Sequence, residues 1–348
     1  MKKIAFRADG SPTIGMGHIM RCMSIAQQLQ ALGNSVYFIS RESVGIEKLI
    51  ASGYKVTALK SAKPQNSKEL LDIEAKEVNE TLDREGCDAL IVDRYNLSNE
   101  YFLALKNAAK MVIFIDDLNL FDCSADVIVN GNITGPYLNY KKLLKHQQLL
   151  LGTTYLPMRS EFSNIDKRLI NEKVRSVMIT TGGSDEYSVT LKLLDFFIKS
   201  GLVYDVVINV IVASGFSKHL LLELDILVSK YLNIKLHTNP TNMAEIMLQA
   251  DLAISAGGST LYELCACGTP TMAFVLADNQ LGIVERLSAE GFIYYLGWHY
   301  ELEENKLVKN IKMLAENYVL RCSISEKIQA LVDGKGAERI ADKITQLI

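Results

Sequence analysis

The feature that most constrains this chain is an alternation that runs through it twice. Short β-branched runs are followed by longer segments with helical spacing, the pattern of parallel α/β units. In the first half, strands are expected at residues 4–8, 35–40, 55–59, 89–93, 112–116 and 127–129. In the second half they are expected at 176–181, 206–213, 234–237, 252–255, 271–275 and 293–296. Each half opens with a strand that runs into a glycine-containing loop. The first helix carries Met23, Ala26, Leu29 and Leu32 as an apolar stripe, and Gly33 supplies its stop. Residues 131–172 are less regular, with Gly135-Pro136, Gly152, Pro157 and a charged stretch after 160.

A chain of 348 residues is long enough for two cores. The fold expected is therefore α/β with two Rossmann-like domains: residues 1–155, a linker at 156–172, and 173–348 with a helical tail. The tail, at 337–347, would pack back across one domain or the other; the pattern leaves open which.

A net charge of −3 disfavours nucleic-acid binding through phosphate neutralisation. No apolar run reaches the ~18 residues of a spanning helix, so no membrane insertion is expected. The N-terminal apolar run is short and is followed by Arg7 and Asp9, unlike a signal peptide. The six cysteines are scattered and mostly in apolar segments, which reads as reduced, buried thiols in a cytoplasmic protein. Cys265 and Cys267 lack a second cluster to complete a ligand set, so they read as small residues on a packed helix. No metal and no cofactor are expected. Oligomeric state is not legible.

In parallel sheets, ligands bind at the carboxyl ends of the strands, and four loops there stand out. The first is Gly15-Met16-Gly17-His18, with Arg21 one turn further on. Met20 stands where a dinucleotide fingerprint needs its third glycine, so dinucleotide binding is unsupported. The glycines allow close backbone approach, and a histidine beside them can exchange protons near neutral pH. The second, Asp93-Arg94-Tyr95-Asn96, either lines a pocket or forms a surface turn. The third, Asp116-Asp117, carries adjacent carboxylates that suit sugar hydroxyls, a histidine or a metal; Asp117 equally suits a turn.

The fourth loop runs through Gly257-Gly258-Ser259-Thr260, Glu263, Gly268-Thr269-Pro270 and Asn279-Gln280. A strand ending in small residues before a helix with hydroxyl side chains makes a seat for a diphosphate. Glu263 falls where a carboxylate can accept both ribose hydroxyls, and Asn279-Gln280 would close the site. Gly182-Gly183-Ser184 offers a second small-residue loop.

AGGSTLYEL, GTP and DNQ resemble the nucleotide-binding region of GT-B nucleotide-sugar enzymes such as the MurG-type N-acetylglucosaminyltransferases. FRADGSPTIGMGHIMRC, with VDRYNLS, FIDD, YLPMRSEF and TTGGSD, narrows the likeness. It resembles the UDP-2,4-diacetamido-2,4,6-trideoxy-L-altrose hydrolase family of pseudaminic acid biosynthesis. The resemblance implies a GT-B fold whose two domains face each other across a cleft. It implies a UDP pocket formed by Gly183, Ser184, Gly258, Ser259, Thr260 and Glu263. It further implies catalytic or sugar-contacting roles for His18, Tyr95 and Asn279, with a UDP-sugar as the substrate.

On this reading His18 deprotonates a water that attacks C1 with inversion, without metal. Tyr95 packs against the sugar or bonds the water. Asn279 binds sugar or diphosphate, while Gly15, Gly17, Arg21, Asp117 and Gln280 line the site. Asp9 or Asp117 would fix the imidazole tautomer. Two rivals remain open: a GT-B glycosyltransferase with a UDP-sugar donor, and a non-catalytic sugar-nucleotide-binding protein.

Overall fold

The computed structural model describes residues 1–11, 14–61 and 67–348. Pro12 and Thr13 of the first motif lie outside the described residues. The chain divides into two compact units, residues 1–160 with 335–348, and residues 161–334.

The first unit holds seven strands: β1 (Lys3–Ala8), β2 (Ser35–Ser40), β3 (Lys55–Ala58), β4 (Ala89–Asp93), β5 (Met111–Ile115), β6 (Val127–Asn130) and β7 (Gln148–Leu151). Its first four helices are α1 (Gly17–Ala31), α2 (Ser43–Ala51), α3 (Lys68–Glu85) and α4 (Asn99–Leu105). The strand order is β3-β2-β1-β4-β5-β6-β7, and every pairing is parallel. Sequential strands run outward from β1 on one side, then restart beside it with β4. That reversal makes a crevice at the carboxyl ends of β1 and β4.

The second unit repeats the plan. Its strands are β8 (Ser176–Thr180), β9 (Val207–Val212), β10 (Ile234–Thr238), β11 (Leu252–Ala256), β12 (Thr271–Val275) and β13 (Tyr294–Trp298). Their order is β10-β9-β8-β11-β12-β13, again parallel throughout, with the reversal between β8 and β11. Its helices are α5 (Val189–Lys199), α6 (Lys218–Lys230), α7 (Met243–Gln249), α8 (Thr260–Ala266), α9 (Asp278–Ala289), α10 (Glu304–Glu316) and α11 (Tyr318–Leu331). Among the described residues, no helix is long and apolar enough to cross a membrane.

Four findings differ from the sequence reading. The last helix, α12 (Gly336–Leu347), belongs to the first unit, not to the second. Ala337, Ile340, Ala341 and Ile344 recur at helical spacing and are fully buried against α1 and the β1 face. The entry is tight: a Cβ on Gly336 would lie 2.1 Å from the Leu156 carbonyl oxygen.

Second, much of the expected linker is built into the second unit. Arg168 donates to the Met247 carbonyl at 3.1 Å and to Thr269 Oγ1 at 2.9 Å. The buried Arg321 holds the carbonyls of Asn171 and Glu172. Third, β7 lies in the stretch read as irregular. It has four residues and follows a lysine-rich segment, too short to show a period, and it is a strand because β6 pairs with it.

Fourth, Leu32 is 46% exposed, while Met23, Ala26 and Leu29 are buried. It has left the stripe because α1 ends at Ala31, and Gly33 turns the chain at a φ of +81°.

Candidate active site

Strand alternation decides which side chains meet, because successive residues point to opposite faces of a sheet. On β1, Ile4, Phe6 and Ala8 join the core under α1 and α12, whereas Ala5 joins the core under α3 and α4. Arg7 and, just past the strand, Asp9 follow Ala5 to the α3 face. On β4, Ala89 and Ile91 lie under α1, so Asp93 does too, while Leu90, Val92 and then Arg94 face α3. On β5, Ile113 and Ile115 lead to Asp117 on the α1 face, and Val112 and Phe114 to Asp116 on the other.

A single network forms on the α1 face at the crevice between β1 and β4. Gly15, at a φ of +83°, turns the chain into α1, and its amide donates to the Ser11 carbonyl at 2.8 Å. A Cβ at Gly15 or Gly17 would meet nothing within 4 Å, so neither glycine is demanded by packing. His18, on the first turn of α1, lies with Nδ1 2.6 Å from Asp93 Oδ1. A carboxylate only accepts, so Nδ1 carries the proton, and in the neutral ring Nε2 keeps its lone pair. The Arg21 Nη2 atom, 3.2 Å from the same Nδ1, is therefore a neighbour and not a donor to it.

Arg21 is clamped between two carboxylates. Nε and Nη2 donate to Asp93 at 2.6 Å each, and Nη1 and Nη2 to Asp117 at 2.9 and 3.0 Å. Asp117 also accepts from Tyr95 Oη at 2.8 Å and Asn132 Nδ2 at 2.9 Å. The Tyr95 ring stands edge-on to His18, with centroids 4.8 Å apart. Cys22, one turn beyond His18, sets its thiol 3.4 Å from Asp93 Oδ2.

Burial by itself would raise the Asp93 pKa; the Arg21 guanidinium and His18 outweigh it and hold the carboxyl well below the usual range. Asp117 is likewise lowered, burial being outweighed by Arg21. Burial, then the charge of Asp117, pushes the Tyr95 phenol well above its ordinary value, so it stays protonated.

His18, Arg21, Tyr95 and Asp117 thus come together, and Gly15 and Gly17 border them. The carboxylate on His18 is Asp93, not Asp9 or Asp117, which corrects the sequence reading. Asp9 is on the opposite face of β1. It accepts from Arg7 Nη2 at 2.7 Å and the Arg41 amide at 2.8 Å, and belongs to a buried cluster around Glu74 of α3. Glu74 accepts from Arg7 Nε at 3.0 Å, Arg41 Nη2 at 2.7 Å, Arg94 Nη1 at 2.5 Å and Tyr101 Oη at 3.0 Å.

Asp116 and Asp117 do not act as a pair. Asp116 accepts from the Leu118 and Asn119 amides and from Tyr140, the turn role that had been open for Asp117. Among the described residues, no group of three or more His, Cys, Asp or Glu side chains is placed to hold a metal ion. Asp93 lies in a loop that the sequence marked but to which it gave no role of its own, and Asn132 was not singled out. The period-two pattern of β4 was the signal for Asp93, since it ends on the α1 face; nothing local marks Asn132.

In the second unit, the order β8-β11-β12 sets three loops side by side. Gly183 and Ser184 follow β8, Gly258, Ser259 and Thr260 follow β11, and Asn279 and Gln280 open α9 after β12. A Cβ at Gly183 or Gly258 would meet nothing within 4 Å, leaving open space against the backbone. Gly257 is different, since a Cβ there would lie 2.5 Å from Val284 Cγ2, and its glycine is a packing requirement of α9. Glu263 is half-buried on α8, and Asn279 is exposed. Gln280 turns its Oε1 inward to accept from the Leu276 amide at 2.9 Å.

Residues 177–339 match the glycosyltransferase family 28 C-terminal domain. An uncharacterised protein of Methanocaldococcus jannaschii is 29% identical over 292 residues, 80% of this chain and 56% of that protein. The chain thus spans just over half the length of that relative. The UDP-2,4-diacetamido-2,4,6-trideoxy-beta-L-altropyranose hydrolase of Campylobacter jejuni is 26% identical over 293 residues, covering 83% of this chain and 97% of that enzyme. The crystal structure of Acinetobacter baumannii MurG superposes with a TM-score of 0.70 at 15% identity, over 99% of this chain and all of that one. Two parallel Rossmann-like sheets of matching strand order, with this structural neighbour, establish the α/β GT-B fold for the chain.

Proposed function

We propose that this chain is a UDP-sugar hydrolase, which adds water to C1 of a UDP-linked 2,4-diacetamido-2,4,6-trideoxy sugar and releases UDP. The observation that carries the reading is the 2.6 Å pair of His18 and Asp93. The α1-face network holds two carboxylates, Asp93 and Asp117, against one guanidinium, Arg21. A proton arriving at His18 Nε2 balances that surplus negative charge, so the network suits a general base. In the reaction, the water oxygen bonds to C1, its proton goes to His18 Nε2, and the C1–O bond breaks with its electron pair on UDP.

The second unit is assigned the nucleotide. Gly183, Ser184, Gly258, Ser259 and Thr260 would meet the diphosphate with backbone N–H groups and hydroxyls, which stabilises the leaving charge without metal. Glu263 would take the ribose hydroxyls, and Asn279 the sugar or the diphosphate. Replacing Glu263 by Ala is expected to weaken UDP binding by about 1–3 kcal/mol in calorimetry, because ribose hydroxyls lose a charged acceptor. Unchanged affinity would remove Glu263 from the nucleotide site.

The name of the Campylobacter jejuni relative supports hydrolysis, while the family 28 match favours a second reading, a glycosyltransferase with a UDP-sugar donor. The test is purified protein with UDP-2,4-diacetamido-2,4,6-trideoxy-β-L-altrose and no acceptor, in ¹⁸O-water. The expected result is steady UDP release, label on the sugar C1 oxygen, and the inverted anomer first. UDP release that requires an added acceptor would establish the second reading. Label on the UDP phosphate would place the attack at phosphorus and sink the role of His18.

A further inference from the structure

Asp117 is saturated by the protein. Its Oδ1 accepts from Arg21 Nη1 and Asn132 Nδ2, both at 2.9 Å, and its Oδ2 from Arg21 Nη2 at 3.0 Å and Tyr95 Oη at 2.8 Å. Four donors fill the sites that a carboxylate offers. The Tyr95 phenol has one proton, and it is spent on Asp117. Toward any ligand, the Tyr95 oxygen is left able only to accept.

We propose that Asp117, held by Arg21 and Asn132, is a positioning residue that makes Tyr95 a second hydrogen-bond acceptor beside His18, so that the site selects water over an alcohol as nucleophile. The inference rests on the hydrolase reading and extends it to what decides the nucleophile. His18 is locked the same way, since Asp93 takes its Nδ1 proton and leaves Nε2 as an acceptor. The two rings that carry these acceptors meet edge-on, with centroids 4.8 Å apart. Water brings two O–H groups, one for each acceptor, and keeps its lone pairs for C1. An alcohol brings one O–H and leaves one acceptor unpaired in a partly buried site, which is costly. The selection therefore comes from the direction of protons in the network, not from the size of the site.

The test is partition between water and methanol. Wild type, Tyr95→Phe and Asp117→Asn are each incubated with the UDP-sugar in buffered aqueous methanol, and free sugar and methyl glycoside are counted. Wild type is expected to give free sugar almost alone. Tyr95→Phe removes the second acceptor, and the methanol-to-water product ratio should rise about tenfold. Asp117→Asn keeps the phenol but offers it a carboxamide N–H, which frees the Tyr95 proton to point at the ligand; the same rise is expected.

A merely structural Asp117 would slow both reactions alike and leave the ratio at the wild-type value, which overturns the proposal. Circular dichroism and a urea unfolding curve report whether each variant is folded. If Asp117→Asn does not fold, Tyr95→Phe decides alone, and an unchanged ratio there also overturns the proposal. A wild type that turns over freely with equal ratios in all three proteins defeats this inference and leaves the hydrolase reading intact. A wild type that forms no free sugar defeats both.

Discussion

Replacing His18 by Ala is expected to lower turnover of the UDP-sugar by ~10²–10⁴-fold, the usual contribution of a general base, with UDP affinity unchanged. The reason lies in the division of labour: His18 is on α1 of the first unit, whereas the loops assigned to UDP follow β8, β11 and β12 of the second. Asp93→Asn is expected to approach the same loss with the imidazole still present. A carboxamide at that position can donate to Nδ1, which turns the neutral ring to its other tautomer and puts a proton on Nε2, where the lone pair is needed. Steady-state turnover and calorimetry with UDP are the measurements. Wild-type turnover in either variant would remove the pair from the reaction. A parallel loss of UDP affinity would mean that the first unit also holds the nucleotide.

Glu74→Ala is expected to destabilise the first unit by ~3–5 kcal/mol, the range for breaking a buried ion pair by removing one partner. Glu74 is fully buried and joins Arg7, Arg41, Arg94 and Tyr101. Without it, Arg7 keeps its ion pair with Asp9, while Arg41 and Arg94 lose the carboxylate they pair with. The same cluster sets a pH dependence. Burial would raise the Glu74 pKa, but Arg7 and Arg94 hold it down at about 2, against about 4.3 for an unperturbed glutamate. The folded state binds fewer protons than the unfolded chain between these values. The stabilisation is therefore full above the unfolded pKa and is lost as pH falls toward 2. Urea unfolding across that range should show a steep decline in wild type and a shallower one in Glu74→Gln. Equal slopes would mean that Glu74 is not the group that titrates.

The two clusters occupy opposite faces of one sheet, and this has a functional consequence. The Glu74 cluster ties β1, the start of the loop after β2, the loop after β4 and α3 together on the face opposite the His18 network. It holds Arg94 on one face while its neighbours Asp93 and Tyr95 serve the other. Arg21, by contrast, places four of its five N–H groups on Asp93 and Asp117. On the proposed reading, Arg21 braces the residues assigned to the reaction.

Much of the architecture was legible in the sequence because its signals are local. β-branched runs, helical spacing and glycines at chain reversals repeat in both halves, and such a repeat has few solutions other than two parallel sheets. Glycine at 15 and at 33 answers to backbone conformations visible in the chain itself, since both have positive φ. The loops proposed to hold UDP rest on a local signal of the same kind, small residues at strand ends, where a ligand can approach the backbone closely.

What only the tertiary structure decided are the choices that depend on partners distant in the chain. The apolar stripe of α12 was plain, but either unit could have covered it; it packs on α1, more than 300 residues away in sequence. β7 is a strand only because β6 lies beside it. Above all, three aspartates stood near His18 by strand position, and the sequence reading offered Asp9 or Asp117, not Asp93, to the imidazole. The pleat sorted them, by turning Asp9 toward α3 and both Asp93 and Asp117 toward α1. Arg21 then divided the last two, leaving Asp93 to the imidazole and Asp117 to the phenol.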